Sequence, residues 1–211
     1  EILRCLVGSE MCIRDSLYID VVLKNGKPVF DCQWLLRFKN LQSLFLGKLD
    51  KNLEAIVRLS QLRELELRSV KNKDLSFLKQ MPINDLSIWW CDGSKIDLTT
   101  LSDFRTLRQL RLIRISKLDD ISFVSTLTGL ERLDLILLAN ITKMPNLANL
   151  NKLTEVYIDN LNKLVDITSL VNAKKLRKVV MSGVKSMTKE SVYAVLDLSL
   201  IHISEPTRHL R

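Results

Sequence analysis

One pattern, L-x-x-L-x-L, recurs along this chain and constrains its fold more than any other feature. Seven copies follow one another at spacings of 21, 21, 24, 23, 23 and 23 residues. They begin at Leu41, Leu62, Ile83, Leu107, Leu130, Leu153 and Leu176. Projecting the period backwards gives an eighth, weaker copy that begins near Tyr18. Because self-similarity at a fixed period of about 20–50 residues is the signature of stacked repeats, we predict a solenoid.

Each unit has two halves that differ in the period of their apolar residues. The L-x-L half alternates, which is typical of a short strand with every second side chain directed inward. The other half carries an apolar residue at every third place and suits a tight return of about three residues per turn. One unit cannot bury its own apolar face. We therefore predict that the units stack with parallel strands about 4.8 Å apart.

Four of the returns share a second motif, in which an aspartate precedes an apolar residue, Ser or Thr, any residue and another apolar residue. The four segments are residues 74–78, 97–101, 120–124 and 166–170. Together the two patterns resemble the leucine-rich-repeat family over essentially all of residues 18–196, and the return motif is similar to that of bacterial internalins. The resemblance implies an α/β repeat, a curved leucine-rich-repeat solenoid with a parallel concave β-sheet and short 3₁₀ or irregular convex returns. An acidic side chain at the start of a short 3₁₀ turn would cap its free backbone N–H groups.

The chain departs from the family pattern in three places. Residues 52–56 and 144–147 lack the return motif, and residues 188–196 read as a helix with a polar start and an acidic first turn. The ninth position of each unit, where the family commonly has asparagine, is apolar. Those residues are Leu49, Val70, Cys91, Ile115, Leu138, Leu161 and Val184. The backbone of these turns must therefore find other hydrogen-bond partners.

Both ends of the chain contain strings that resemble a translated transposase sequencing adapter. Residues 6–16 read LVGSEMCIRDS, and the reverse complement of the adapter DNA encodes LSLIHISEPTR, the string at residues 198–208. We predict that residues 1–16 and 198–211 are adapter-encoded. The solenoid is then residues 17–197, and the native start of the gene is expected to lie upstream. The two ends hold four basic and four acidic residues, so the solenoid keeps the net charge of +8.

Few residues in the solenoid carry catalytic or metal-binding chemistry. The histidines, His202 and His209, fall in the predicted adapter, so general bases and triads of the usual kind have no histidine to use. Cys32 and Cys91 fall at core positions about two and a half units apart, which is too far for a Cys/His metal site. We predict no enzyme, no cofactor and no metal. Two buried thiols without a disulfide framework favour a cytoplasmic location.

The residues that flank the inward leucines are expected to face the concave sheet, where repeat proteins generally bind partners. Trp89, Ile113 and Ile136 occupy one column on three consecutive strands and span about 10 Å of apolar surface. Trp90 and Leu137 extend it at the next position. Contiguous exposed apolar groups rimmed by charge are typical of an interface centre. The candidate partner-binding residues are Trp89, Trp90, Ile113, Ile136, Arg68, Arg111, Arg114, Asp134 and Tyr157; in the alternative, a flanking loop covers the patch and makes it core.

Charges on neighbouring strands of the predicted sheet alternate in sign. The alternation favours pairing of Arg111 with Asp134, and of Arg132 with Glu155 and Glu155 with Lys178. Such pairs stabilise a ladder, and they can equally contribute to an interface.

These patterns predict a non-catalytic protein–protein interaction scaffold that works as a monomer, with an intracellular adaptor or immunity-like inhibitor as the favoured role. A secreted or surface recognition module is the alternative. The net charge of +8 suggests a third hypothesis, a basic solenoid that binds nucleic acid. It is less favoured because the lysines lie mostly in turns and returns, and the concave columns mix both signs. No stretch is apolar and long enough to cross a bilayer.

Overall fold

In the described residues, nine strands pair in chain order and form one sheet. The computed structural model describes residues 3–5, 16–21, 30–47 and 51–196. The strands are β1 (Leu3–Cys5), β2 (Ser16–Val21), β3 (Ser43–Gly47), β4 (Glu64–Arg68), β5 (Asp85–Trp89), β6 (Gln109–Ile113), β7 (Arg132–Ile136), β8 (Glu155–Asp159) and β9 (Lys178–Ser182).

Strands β2 to β9 pair in parallel, whereas β1 runs antiparallel to β2. From β3 onward the register aligns equivalent repeat positions, so that Leu44 lies opposite Leu65 and Leu65 opposite Leu86. These inward residues are at most 1% exposed. Because each unit presents its leucines at the same height, stacking turns them into one continuous core. The predicted curved solenoid with a parallel concave sheet is confirmed.

Short 3₁₀ helices form most of the returns on the convex side. They span Cys32–Arg37, Leu53–Arg58, Ser76–Gln80, Leu98–Leu101, Ser122–Thr126 and Thr168–Asn172. In each of the four motif-bearing returns the aspartate carboxylate accepts a hydrogen bond from the backbone N–H two residues on. The Oδ1–N distance is 2.7 Å at Asp74 and 2.8 Å at Asp166. The predicted capping is confirmed. The Ser76 N–H lowers the pKa of Asp74, and the Thr168 hydroxyl, followed by the Thr168 N–H, lowers the pKa of Asp166.

The apolar ninth position is part of the core. Val70, Cys91, Ile115, Leu138 and Leu161 are all buried there. Val184 is partly buried, and Leu49 lies outside the described residues. The turn backbone bonds instead to the neighbouring unit, as where the Ser116 N–H donates to the Cys91 carbonyl at 3.0 Å. Main-chain bonds between units thus replace an asparagine ladder.

The residue that follows each strand from β4 to β9 has a left-handed backbone. These residues are Ser69, Trp90, Arg114, Leu137, Asn160 and Gly183, with φ between 50° and 63°. The first five donate their N–H to the carbonyl of the last residue of the next strand, as from Trp90 to Ile113 at 3.0 Å. The left-handed turn thus aims the N–H at the neighbouring unit and directs the chain out of the sheet.

The first unit differs from the predicted alignment. We expected Tyr18 at the first position of a unit, equivalent to Leu41, but β2 pairs with β3 so that Leu17 lies opposite Leu44 and Tyr18 opposite Phe45. The projection assumed a constant spacing, and the first unit is longer. Strand β1 and Ser16 belong to the predicted adapter segment; the origin of that segment stays a prediction.

The remaining departures from the motif have separate outcomes. The return that contains residues 52–56 forms the 3₁₀ helix Leu53–Arg58 even without the aspartate, whereas residues 144–147 form no helix. The predicted helix after Met187 is confirmed as α1 (Lys189–Leu196), and the Ser191 N–H donates to Thr188 Oγ1 at 3.2 Å. Within the described ranges, no helix has the length and apolar character that a bilayer span needs.

Candidate functional site

We number the positions of each repeat from the first residue of L-x-x-L-x-L, and equivalent positions on neighbouring strands form a column of the sheet. The seventh column of the concave sheet brings three apolar side chains together. Strand register places Trp89 beside Ile113 and Ile113 beside Ile136, with Arg68 and Asp159 at the two ends of the row. All three apolar residues are half-buried. Since neighbouring strands are about 4.8 Å apart, the row spans about 10 Å, as the sequence predicted.

The next position exposes two further apolar side chains. Trp90 is 46% exposed and Leu137 is 43% exposed. We call Trp89, Trp90, Ile113, Ile136 and Leu137 the apolar patch. In the described part of the chain Trp90 and Leu137 are exposed, whereas Trp89, Ile113 and Ile136 are half-buried, and the binding role of the patch stays a prediction.

Two arginines lie close to the Trp90 ring. The Arg68 guanidinium lies 4.0 Å from the centre of the Trp90 ring, and that of Arg114 lies 5.5 Å away. Both distances allow attraction between the cation and the electron-rich ring face. The structure thus places Arg68 and Arg114 on the rim of the apolar patch, where the sequence predicted them.

Trp89 packs differently, against a residue that sequence reasoning missed. Its ring meets Phe45 edge to face, with ring centres 6.2 Å apart and planes at 83°. Phe45 is buried at 7% exposure, although it lies in the fifth column of the concave sheet. It was missed because it lies two strands away and in another column, where the repeat pattern shows no adjacency. Trp89 is therefore partly a structural residue, while Trp90 is available to a partner.

Arg111 does not pair with Asp134 as we expected. Its Nη2 donates to both carboxylate oxygens of Asp85 at 3.0 Å and lies 3.9 Å from Glu66 Oε1. Asp134 instead accepts from Nε and Nη2 of Arg132 at 2.9 and 3.1 Å. Because Arg132 lies two residues before Asp134 on the same face of the same strand, it reaches the carboxylate first. Asp134 is only 3% exposed.

The predicted alternation holds farther along the sheet. Arg132 Nη1 lies 3.5 Å from Glu155 Oε2, and Lys178 Nζ lies 3.7 Å from the same oxygen. Tyr157 is half-buried on β8, beside Asp134 on β7. The candidate residues therefore divide into an apolar patch with an arginine rim and three further residues, of which Arg111 pairs with Asp85, Asp134 pairs with Arg132, and Tyr157 lies beside Asp134 in the register.

Three carboxylates gather on β4 and β5, beside the apolar patch. They are Glu64, Glu66 and Asp85, and we call them the acidic patch. Burial raises the pKa values of Glu66 and Asp85, although the Arg111 guanidinium acts in the opposite direction. The net rise means that one arginine does not fully compensate the desolvation and mutual repulsion of these carboxylates. Summing the charges of each strand's outward residues would have found this patch from the sequence.

A groove of about 370 Å³ lies on the convex side. It lies where residues 144–147 form no helix, and Asp120, Lys143, Pro145 and Ser169 line part of it. Among the described residues, no group of three or more His, Cys, Asp or Glu side chains could hold a metal ion. Cys32 and Cys91 are buried free thiols, as predicted, and burial raises the pKa of Cys32 to about 12.

Comparison with known proteins shows likeness at the level of structure. No protein-family model matches the chain, and no curated protein matches its sequence. Among solved structures, internalin C2 from Listeria monocytogenes superposes with a TM-score of 0.65 at 21% identity, covering 90% of this chain and 80% of that one. An internalin F structure from the same organism has a TM-score of 0.42 at 19% identity, covering 82% of this chain and 66% of that one.

The first of these structures has the same kind of fold at low sequence identity. Together with the parallel sheet in repeat register and the short 3₁₀ returns, it identifies the chain as a leucine-rich-repeat solenoid of the curved type.

Proposed function

We propose that this chain is a non-catalytic scaffold that binds a protein partner on its concave sheet, with the apolar patch at the centre of the interface. The exposure of Trp90 after β5 and of Leu137 after β7, on either side of the unit that contains β6, carries the proposal. Large apolar side chains grouped on a surface and rimmed by arginines are typical of binding hot spots.

The backbone of these residues supports the same conclusion. Trp90 and Leu137 have φ values of 50° and 54°. A left-handed conformation costs a residue other than Gly, Asn or Asp roughly 1–2 kcal/mol. The turn itself serves the stacking of units from β4 to β9, so it is the presence of large, exposed apolar side chains in this costly conformation that supports a contact outside the chain.

Charge favours a protein partner over nucleic acid. Although the whole chain carries +8, the concave residues of β4 and β5 include Glu64, Glu66 and Asp85. A phosphate backbone would be repelled by these carboxylates, because nucleic-acid affinity comes largely from cations placed on the phosphates. The basic-solenoid hypothesis therefore has less support from the concave surface than from net charge alone.

Of the two protein-binding roles, the intracellular adaptor or immunity-like inhibitor is the one we propose, with a secreted recognition module as the alternative. The buried, unpaired thiols of Cys32 and Cys91 support it, since secreted domains more often pair their cysteines. The sequence at the native start of the gene separates the two roles, because a secretory signal peptide encoded there would overturn the intracellular role.

The binding surface is tested with two surface variants and one matched control. Trp90→Ala and Leu137→Asp each change an exposed side chain of the apolar patch. Trp34→Ala removes an indole that is similarly exposed, at 42%, but lies on the convex 3₁₀ helix Cys32–Arg37. The full chain and each variant serve as bait, and mass spectrometry quantifies the captured proteins.

We expect a partner that the unmodified chain and Trp34→Ala retain and that both patch variants lose. Circular dichroism should show the same secondary-structure content in all four proteins, since the changed side chains are exposed. Equal capture by all variants would overturn the proposed surface.

A further inference from the structure

We propose that the acidic patch binds lysine or arginine side chains of the protein partner, within a segment whose apolar side chains cover the adjoining apolar patch. This inference rests on the proposed function and specifies the chemistry of its partner.

The concave sheet has the opposite sign of charge from the chain as a whole. Outward residues of β3 to β9 include six acidic and four basic side chains, against +8 for the complete sequence. The acidic ones are Glu64, Glu66, Asp85, Asp134, Glu155 and Asp159, and the basic ones are Arg68, Arg111, Arg132 and Lys178. A partner that approaches this sheet therefore meets a negative field inside an otherwise basic protein.

The whole excess of negative charge lies on β4 and β5. On β6 to β9 the outward residues comprise three of each sign, and most of them form the ion pairs around Asp134 and Glu155. On β4 and β5, three carboxylates face one cation, Arg68, whose guanidinium stacks on Trp90. The negative field is thus local and adjoins the apolar patch.

Arg111 reaches into the acidic patch from β6 without neutralising it. It makes both of its short bonds to Asp85 and lies 3.9 Å from Glu66. Glu64 is exposed at the edge of the same cluster. Burial still raises the pKa values of Glu66 and Asp85. A second cation would therefore gain from carboxylates that are already partly desolvated and preorganised.

The two patches are close enough for one segment to reach both. Asp85 and Trp89 stand at opposite ends of β5, four residues apart, which corresponds to about 13 Å. An extended segment of about five residues spans that distance. A basic side chain at one end and an apolar side chain at the other would match the two surfaces. The pattern that we expect in the partner is thus a cationic residue near an apolar or aromatic one.

A random-peptide phage library panned on the immobilised full chain tests this pattern directly. One variant, Glu64→Gln with Glu66→Gln, removes two charges from the acidic patch with little change in shape. Its matched control, Glu54→Gln with Glu190→Gln, removes two charges from exposed glutamates of a convex return and of α1. Both variants have the same net charge, so a difference between them reports position.

We expect peptides selected by the unmodified chain to be enriched in Lys and Arg beside apolar residues. A synthetic copy of a selected peptide should bind the acidic-patch variant about tenfold more weakly and the control variant unchanged. In ¹⁵N spectra it should shift the indole signals of Trp89 and Trp90 but not that of Trp34. Selected peptides without basic enrichment, or equal affinities for the two variants, would overturn the inference.

The outcomes separate this inference from the proposed function. If selected peptides are neutral or acidic and still lose binding to Trp90→Ala, the protein-binding surface stands and its cationic preference is wrong. If the Trp90→Ala and acidic-patch variants bind as the unmodified chain does, both proposals are wrong. A single-stranded oligonucleotide that binds the sheet, and binds the acidic-patch variant more tightly, would favour nucleic acid instead.

Discussion

The left-handed residues at the ends of the strands show how single positions divide between folding and binding. Asn160 and Gly183 are residues that suit this backbone. At Gly183 a side chain would also overlap that of Asn160. Trp90, Arg114 and Leu137 occupy equivalent positions, although their residue types do not favour the left-handed conformation. Ser69 has the same backbone outside the apolar patch, so the left-handed turn belongs to the repeat, whereas large exposed apolar side chains in this conformation occur at Trp90 and Leu137.

This cost predicts the effect of Leu137→Asn. Asparagine adopts the left-handed conformation more easily, and Leu137 is 43% exposed, so little apolar burial is lost. We expect the free energy of unfolding to rise by about 0.5–1 kcal/mol, measured by urea denaturation. Capture of the partner should weaken in the same variant.

The reciprocal change, Asn160→Ala, is the control and should lower the free energy of unfolding by a similar amount. A loss of more than about 1 kcal/mol in Leu137→Asn would instead mean that Leu137 belongs to the folded core and not to a binding surface.

Asp92 lies in the turn after β5, and its ionisation makes the stability of the fold depend on pH. Ser94 and Lys117 bond its carboxylate, and these contacts lower its pKa to about 2. Because the folded pKa lies below the ordinary value of 3.8, the carboxylate stabilises the fold fully above that pH. The contribution is lost as pH falls through about 2.

We therefore expect Asp92→Asn to lower the melting temperature at neutral pH, with the difference from the unmodified chain vanishing toward pH 2. Melting curves by circular dichroism across that range test it. Ser94→Ala should show the same trend more weakly, because the backbone and Lys117 bonds remain; a difference that stays constant with pH would contradict the assignment.

At the scale of elements, the junction between neighbouring units depends on close backbone approach. Gly129 lies directly before the strand-forming half of its unit, where a Cβ would overlap the carbonyl oxygen of Arg105 and lie 3.0 Å from that of Leu107. Both atoms belong to the backbone of the preceding unit, which cannot rotate away as a flexible side chain could. The glycine is therefore a packing requirement of the stack.

Gly129→Ala should lower the free energy of unfolding by about 1–3 kcal/mol, since the two units must separate locally to admit the methyl group. Thr128→Ala, at the exposed neighbouring residue, is the matched control and should change it by less than about 0.5 kcal/mol. Chemical denaturation measures the free energy of unfolding of both variants. Equal values for Gly129→Ala and Thr128→Ala would show that the backbone of the preceding unit adjusts freely.

At the scale of the whole molecule, each described strand pairs only with its immediate neighbours, and side-chain contacts such as that of Phe45 with Trp89 reach two strands along the array. Stability is then approximately a sum over units and their interfaces. A central unit is held on two sides, whereas β9 receives strand pairing on one side within the described residues.

Hydrogen exchange should reveal this gradient. We expect amides of β5 to β7 to be protected most and those of β9 and α1 to exchange sooner, because opening the terminal unit breaks one interface instead of two. Mass spectrometry of exchanging peptides measures it. Uniform protection from β3 to α1 would indicate a single cooperative unit and contradict the additive description.

Much of the fold was predictable because every repeat places apolar residues at the same spacing and must bury them against the neighbouring repeats. The L-x-x-L-x-L spacing predicts the strands, and the aspartate motif predicts four capped returns, all of which the structure contains. The first unit was placed out of register because its copy of the pattern is weak and its position was projected from the spacing of the other repeats. The candidate site was predicted in part: the columns were right, but the partners of Arg111 and Asp134 were wrong.

Repetition by itself determined which side chains face inward and which face the concave sheet, since strand alternation leaves no other arrangement that buries the leucines. Only the tertiary structure decided how the outward side chains lean once they are there. Trp89 packs on Phe45 two strands away, Trp90 stands exposed close to Arg68 and Arg114, and Arg111 turns toward Asp85. These choices depend on side-chain reach and competing partners across strands, which a repeat pattern does not encode.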